Sequence, residues 1–323
     1  MRTRFYVMLF ISGLLCNNSV IGQKSETMVS PFLPDMVMQF PGVRDITISP
    51  DENELYFTIQ SYHGELSAIA YCININGKWS DPEVASFSGR FHDLEPSFAP
   101  DGLRLYFASD RPGTMDGNDL KNYDLWVVER KSLQSDWSQP ANIGSPVNTK
   151  GNEFYPIVTK SGNLYFTGDG PLSKGKDDIF VSVFSDGKYT SPVPVGDSVN
   201  SAGYEFNAFV DPDESFMVFT CYNREGGFGS GDLYISHNLD KGSLSGKWSA
   251  PVNLGKGINS AQMDYCPYVD SKNGILYFTS KRTGLLTRFD TSGNKDFLLK
   301  EMNRYDNGLS RFYKTLFTPG AFK

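Results

Sequence analysis

Residues 99–113 read APDGLRLYFASDRPG. Related phrases stand at 49–61 (SPDENELYFTIQS), 160–170 (KSGNLYFTGDG), 211–227 (DPDESFMVFTCYNREGG) and 271–284 (SKNGILYFTSKRTG). Each time a Pro-Asp-Gly turn, or a variant of it, leads into a run of strand formers. Runs such as Leu-Tyr-Phe are apolar at consecutive positions, as a strand packed on both faces requires. A strand phrase recurring about every 50 residues predicts a fold built by repeating one unit.

More of the unit appears on either side of the phrase. Upstream lies an acid with proline three positions later, at Asp93-Leu94-Glu95-Pro96, Glu153-Phe154-Tyr155-Pro156 and Asp264-Tyr265-Cys266-Pro267. Glu205 keeps the acid but has Ala208 at the proline position, and the first copy has Val43 at the acid position with Asp45 two residues on. Asparagines 148, 200 and 259 stand five positions before three of these acids, and Trp137, Tyr189 and Trp248 stand sixteen before them. The tryptophans open W-S-x-P motifs, as does Trp79-Ser80-Asp81-Pro82. Downstream of the phrase, Asp124-Leu125-Trp126, Asp178-Ile179-Phe180 and Asp232-Leu233-Tyr234 supply a third strand, and a fourth lies near W-S-x-P. Four-stranded units buried on both faces are propeller blades.

These phrases resemble the TolB-type, WD-like beta-propeller repeat family, over about Pro31 to Phe317. The resemblance implies a closed all-β propeller, often six-bladed, in exported bacterial proteins that often serve as interaction modules. The repeats counted here give five blades, with six as the alternative. The fifth copy lacks its fourth strand, so the segment Ser30 to Phe40 is expected to complete that blade and join the two termini.

Composition fits this class. The 323 residues are 39% hydrophobic and 14% aromatic, with 31 Gly, 18 Pro and a net charge of -7. No Lys/Arg-rich run exists, so nucleic acid is excluded as a partner. Arg2 and Arg4, the apolar run 5–16 and the residues Val20-Ile21-Gly22 predict a signal peptide over 1–22, leaving a single domain from Gln23 to Lys323. Loss of the two arginines would take the net charge from -7 to -9. The protein is expected in the periplasm or outside the cell, not spanning the membrane. A lipoprotein signal at Cys16 ranks second, because Leu15 is too large for the position before it. Cys72, Cys221 and Cys266 then remain, an odd number. They are read as buried strand cysteines, with a Cys221–Cys266 bridge left open.

In a four-stranded blade the second-to-third loops and the connections to the next blade emerge on one face. The variable loops 112–123, 168–176, 225–231 and the long insert 284–307 therefore share a face suited to binding. Asp93, Glu153, Glu205 and Asp264 open the innermost strands at that face, with Asp45 and Glu95 two residues further along. Together they are candidates for an acidic mouth that takes a polar ligand or supplies paired carboxylates. The alternative, favoured because the acid belongs to the repeat, is that each accepts backbone N–H bonds and fixes the start of its strand. Arg111 and Arg224 are expected to pair with Asp124 and Asp232. Arg288, Phe289, Phe297, Arg304 and Tyr305 in the insert form either a binding platform or a cap.

No metal or cofactor site is expected. The loop Asp116-Gly117-Asn118-Asp119 lacks the ligand alternation and closing Glu of a calcium loop, and the histidines are scattered. No helix follows the glycine-rich run 226–231 to hold a phosphate. No G-x-S-x-G elbow occurs. On these grounds the expected function is a non-catalytic cell-envelope propeller that binds an envelope protein or polysaccharide through its acidic loop face. The alternative is a carbohydrate-active hydrolase or lyase using carboxylates at the channel mouth, for which Glu95 and Asp116 are the acids outside the repeat.

Overall fold

The structure is a computed structural model, and it describes residues 28–112, 122–240, 247–289 and 292–322. The signal-peptide segment, Cys16 and the loop 116–119 lie outside the described residues.

Five antiparallel sheets follow one another as the blades of a propeller, four of them four-stranded and the first with both Lys78–Trp79 and Glu83–Val84 paired to its third strand. The innermost strands are Gly42–Ile48, Asp93–Phe98, Glu153–Val158, Tyr204–Val210 and Asp264–Asp270. Blades 1 to 4 run outward in chain order through Glu54–Gln60, Arg104–Ser109, Leu164–Gly168 and Phe216–Tyr222, then through Ser67–Ile75, Asp124–Glu129, Asp178–Ser182 and Gly231–His237. Blade 5 continues through Ile275–Ser280 and Arg311–Leu316 and takes Ser30–Pro31 as its outermost strand, with Ser30 opposite Lys314. Five blades, not six, close the ring. Pairing at the joint ends at Phe32, whose N–H donates to the carbonyl of Phe312 at 3.0 Å. Pro34 then starts a helical turn, Pro34–Val37, that tucks Met36 and Val37 into the core beside blade 1. The expected strand over 30–40 is therefore a two-residue strand and a cap.

The repeat residues each make a recurring contact. Leu55 and Phe57 face one side of their sheet and Tyr56 the other, all buried. The W-S-x-P aromatic of one blade reaches the tyrosine of the preceding blade: Trp137 Nε1 donates to Tyr56 OH at 2.8 Å, and Trp248 stands edge-on to Tyr165. The asparagine in each connection pairs like an added strand residue. Asn148, Asn200 and Asn259 use Oδ1 and Nδ2 to satisfy the N–H and C=O of Leu125, Ile179 and Leu233. These contacts fix blade against blade and leave the five innermost strands around one axis. All three described cysteines are free and buried.

Candidate functional site

Every innermost strand carries one extra residue against its neighbour, with register shifts at Arg44/Thr47, Leu94/Ser97, Phe154/Ile157, Phe206/Phe209 and Tyr265/Tyr268. A β-bulge of this kind re-aims the side chain it carries. At each bulge a non-glycine residue adopts the left-handed conformation: Asp45 (φ 61), Glu95 (φ 61), Tyr155 (φ 50), Asn207 (φ 51) and Cys266 (φ 50). Each such residue costs on the order of 1 kcal/mol. The proline of acid-x-x-Pro follows it, in a position where a missing ladder N–H is tolerated.

The five left-handed residues meet at the axis. Glu95 Oε1 accepts from Arg44 Nη2 at 2.6 Å and from Asn207 Nδ2 at 3.1 Å, while Oε2 accepts the Tyr155 N–H at 2.7 Å. Arg44 Nε donates to Asp45 at 2.8 Å, and its guanidinium lies over the Tyr265 ring. The Cys266 thiol donates to Asn207 Oδ1 at 3.4 Å. One substitution in the repeat explains the hold on Tyr155. Thr58 and Thr167 accept the N–H of Glu95 and of Asn207 in the next blade. Blade 2 has Ala108 at that position, so the Glu95 carboxylate takes the Tyr155 N–H instead.

This ring divides the channel. On the loop-rich face it floors a cavity of ≈ 330 Å³, whose lining includes Arg44, Gln60, Glu95, Tyr123, Asp177 and Asn207. On the turn face a second cavity of ≈ 420 Å³ has walls including Ile48, Phe98, Phe209 and Tyr268. Only ≈ 10 Å³ lies between them, beside Glu95 and Tyr155, about the room of one water. Burial pushes the Glu95 carboxyl above its ordinary range, Arg44 opposes this, and Asp45 adds to it. Asp177 is also raised, first by burial and then by Asp169 and Asp178. No hydrogen bond reaches the Asp177 carboxylate from the described residues.

The repeat acids sit elsewhere, inside the blades. Asp93 accepts from the hydroxyls of Ser88 and Ser109 and from Arg111 Nη2 at 2.5 Å. Asp264 accepts from Ser260 and from Arg282 Nη2 at 2.9 Å. Glu205 accepts the N–H and hydroxyl of Ser201, with Arg224 Nη1 3.8 Å away. The expected partners of Arg111 and Arg224 are thus corrected: each faces the innermost-strand acid of its own blade, beside which the end of the second strand runs. Asp124 instead receives Asn142, and Asp232 receives Asn253 together with the N–H groups of Phe228 and Gly229.

Glu153 has no such arginine, because the second strand of blade 3 ends at Gly168 and is followed by Asp169-Gly170 where blade 2 has Asp110-Arg111. Its Oε1 accepts from the Thr149 hydroxyl and N–H, and its buried Oε2 has no partner among the described residues. Burial, opposed by Thr149 and aided by Asp124 and Asp169, lifts its carboxyl from 4.5 to about 7. The folded chain therefore holds a proton that the unfolded chain releases, and this contribution to stability fades as pH rises from 4.5 towards about 7. Glu153→Gln is expected to remove that slope and to raise stability at pH 8 by about 1–2 kcal/mol, allowing for solvent screening. Urea unfolding at pH 5 and pH 8 checks it, and an unchanged pH slope in the variant would refute it.

Of the candidate residues, Glu95 alone lines the axial cavity. Asp93, Glu153, Glu205 and Asp264 lie within the blades, Arg288 is exposed on the insert, and the Tyr305 hydroxyl donates to the carbonyls of Phe32 and Phe312. Arg44, Asp177 and Asn207 join Glu95 without having been singled out from the sequence. The signals present were the two-residue offset shared by Asp45 and Glu95, and the doubled acid Asp177-Asp178.

No family model matches the chain, and no curated protein matches it. Solved structures do. An α-L-arabinofuranosidase from Lactobacillus brevis is 16% identical over 88% of this chain and 94% of its own, with TM-score 0.50. A GH62 hydrolase in complex with xylotriose is 10% identical over 90% and 96%, with TM-score 0.51. An α-L-arabinofuranosidase from Podospora anserina, in complex with cellotriose, is 12% identical over 86% and 91%, with TM-score 0.50. At these identities the likeness establishes the five-bladed fold. The TolB-type resemblance is left as a resemblance of the repeat phrases, with no family assignment. The expectation of a non-catalytic binding propeller is corrected: the three structures named above, alike along most of this chain and of their own, are glycoside hydrolases, and its alternative, the carbohydrate-active enzyme, is carried forward.

Proposed function

We propose that this protein is an exported glycoside hydrolase whose reaction centre is the axial cavity on the loop-rich face. The observation that carries the reading is two carboxyl groups of raised pKa, Glu95 and Asp177, in the lining of one ≈ 330 Å³ cavity. That is at the small end of ligand pockets and suits a single sugar unit. Glycoside hydrolysis needs one carboxyl group to protonate the leaving oxygen and a second to activate water or attack the anomeric carbon.

Their surroundings separate the two roles. Asp177 accepts no hydrogen bond from the described residues, and burial with the neighbouring Asp169 and Asp178 raises its carboxyl against the pull of Lys176, so it is assigned as the acid. Glu95 is held by a guanidinium, an amide and a backbone N–H, all of which favour its anion, so it is assigned as the base or nucleophile. The names of the like-folded enzymes make α-L-arabinofuranosidic linkages the first substrates to test.

The test is to incubate the folded chain with 4-nitrophenyl α-L-arabinofuranoside, other 4-nitrophenyl glycosides and arabinoxylan, following nitrophenolate and reducing ends. Turnover of arabinoxylan that falls about 100-fold or more in Asp177→Asn is expected, with a smaller fall for the nitrophenyl glycosides, whose leaving group departs without a proton. A folded protein that turns over no glycoside in the panel would end the proposal.

A further inference from the structure

Among the described residues, the strongly exposed aromatic rings are Tyr62, Phe184, Tyr222, Phe228, Phe289 and Phe297. Only Phe184 is away from the loop-rich face. Tyr62 follows the second strand of blade 1, Tyr222 ends that of blade 4, Phe228 is in the loop after it, and Phe289 and Phe297 belong to the blade 5 insert. The exposed rings therefore gather on the face that holds the axial cavity, on the adjoining blades 4, 5 and 1. Phe289 and Phe297 stand edge to face with centroids 5.1 Å apart, yet remain 38% and 42% exposed. They share a cleft of ≈ 570 Å³ with Leu286, Arg288 and Ser292.

Leaving such rings in water forgoes their burial, and clustered exposed apolar surface marks a contact site. Rings interleaved with a guanidinium and a hydroxyl match a ligand with apolar C–H faces and hydroxyl edges. A sugar chain has that chemistry, and an apolar protein face does not. The axial cavity has room for one unit, so the rest of a polymer must lie over the surrounding face.

We infer that the Phe289–Phe297 cleft of the insert is a docking subsite for the polysaccharide chain whose reacting unit enters the axial cavity, an inference that rests on the hydrolase reading. The insert is then a determinant of polymer over small substrate. Tyr305 anchors its base to the closing joint of blade 5, and Asn294 caps its helix Lys295–Met302 by accepting the Phe297 N–H.

The experiment compares the wild type with Phe289→Ala/Phe297→Ala on arabinoxylan and on 4-nitrophenyl α-L-arabinofuranoside. Loss of two ring contacts is expected to raise KM for arabinoxylan about tenfold. The kcat/KM for the small glycoside should stay within about twofold, and Phe289→Tyr/Phe297→Tyr should behave as the wild type. Unchanged arabinoxylan kinetics beside normal turnover of the small glycoside would overturn the subsite and leave the hydrolase reading standing. If the wild type hydrolyses neither, retardation in a native gel containing arabinoxylan reads the surface alone. Retardation of the wild type that is lost in the alanine variant would support the docking surface and remove the hydrolase reading. No retardation of the wild type would overturn the surface too.

Discussion

Replacing Arg111 with methionine is expected to destabilise the protein by about 3–5 kcal/mol, the cost of leaving a buried charge without its partner. Asp93 is fully buried, and Arg111 Nη2 sits 2.5 Å from its Oδ1. The same guanidinium donates to the Phe87 carbonyl and the Ser109 hydroxyl, and it lies over the rings of Phe107 and Trp126. Methionine keeps much of the apolar contact and none of the charge. In the double variant Arg111→Met/Asp93→Asn no charge is stranded, so at least half of the loss should return. Lys160→Met, which breaks an exposed pair with Asp213, should cost under about 1 kcal/mol. Denaturant titration of the four proteins decides it. An Arg111→Met variant as stable as Lys160→Met would mean that the pair does not hold blade 2 together.

Glu95→Gln is expected to lower kcat/KM by a factor of about 100 to 10,000 for any glycoside the protein hydrolyses, the range lost with an acid–base or nucleophilic carboxylate. Glutamine is isosteric, but its one oxygen can keep only the Arg44 Nη2 side or the Tyr155 N–H, and its amide nitrogen meets the other donor, so the fold is read beside the kinetics. The measurement is kinetics beside a thermal melt. Lost turnover with an unchanged melt supports the assignment. Wild-type turnover would move the reaction away from the axis, and a collapsed melt would mark Glu95 as a keystone of the ring. In the wild type the basic carboxyl must be ionised, so activity should climb as pH rises through the Glu95 pKa, which burial has raised. Asp45→Asn frees Arg44 for Glu95 and should move the climbing limb to lower pH.

Much of the fold could be read from the chain. The acid, asparagine, W-S-x-P and Leu-Tyr-Phe positions each answer a backbone or interblade need that recurs, and spacing preserves such needs in the sequence. Blade closure was legible for the same reason, since a fourth strand was missing at one end and spare at the other. The axial ring was not legible. Simple alternation would continue the pleat through Glu95, but the bulge turns its side chain to the axis, and Tyr155, Asn207 and Cys266 share no chemistry by which to be aligned. The arginine partners were misread because a strand-end side chain can fold back to its inner neighbour as easily as forward to its outer one. Asp177 was hidden beside Asp178, which carries the repeat's own role at the start of the third strand.

The joint at Ser30–Pro31 bears on how the chain is made. The outermost strand of blade 5 is made before every other strand of the propeller, and its partner Arg311–Leu316 after all of them. Until that partner emerges the toroid stays an open arc, with exposed edges and a gap where blades 5 and 1 should meet. A nascent chain in that state locks later than one whose every blade closes on local strands. The cost falls on truncated products, which keep an unpaired edge and are good substrates for proteolysis or aggregation.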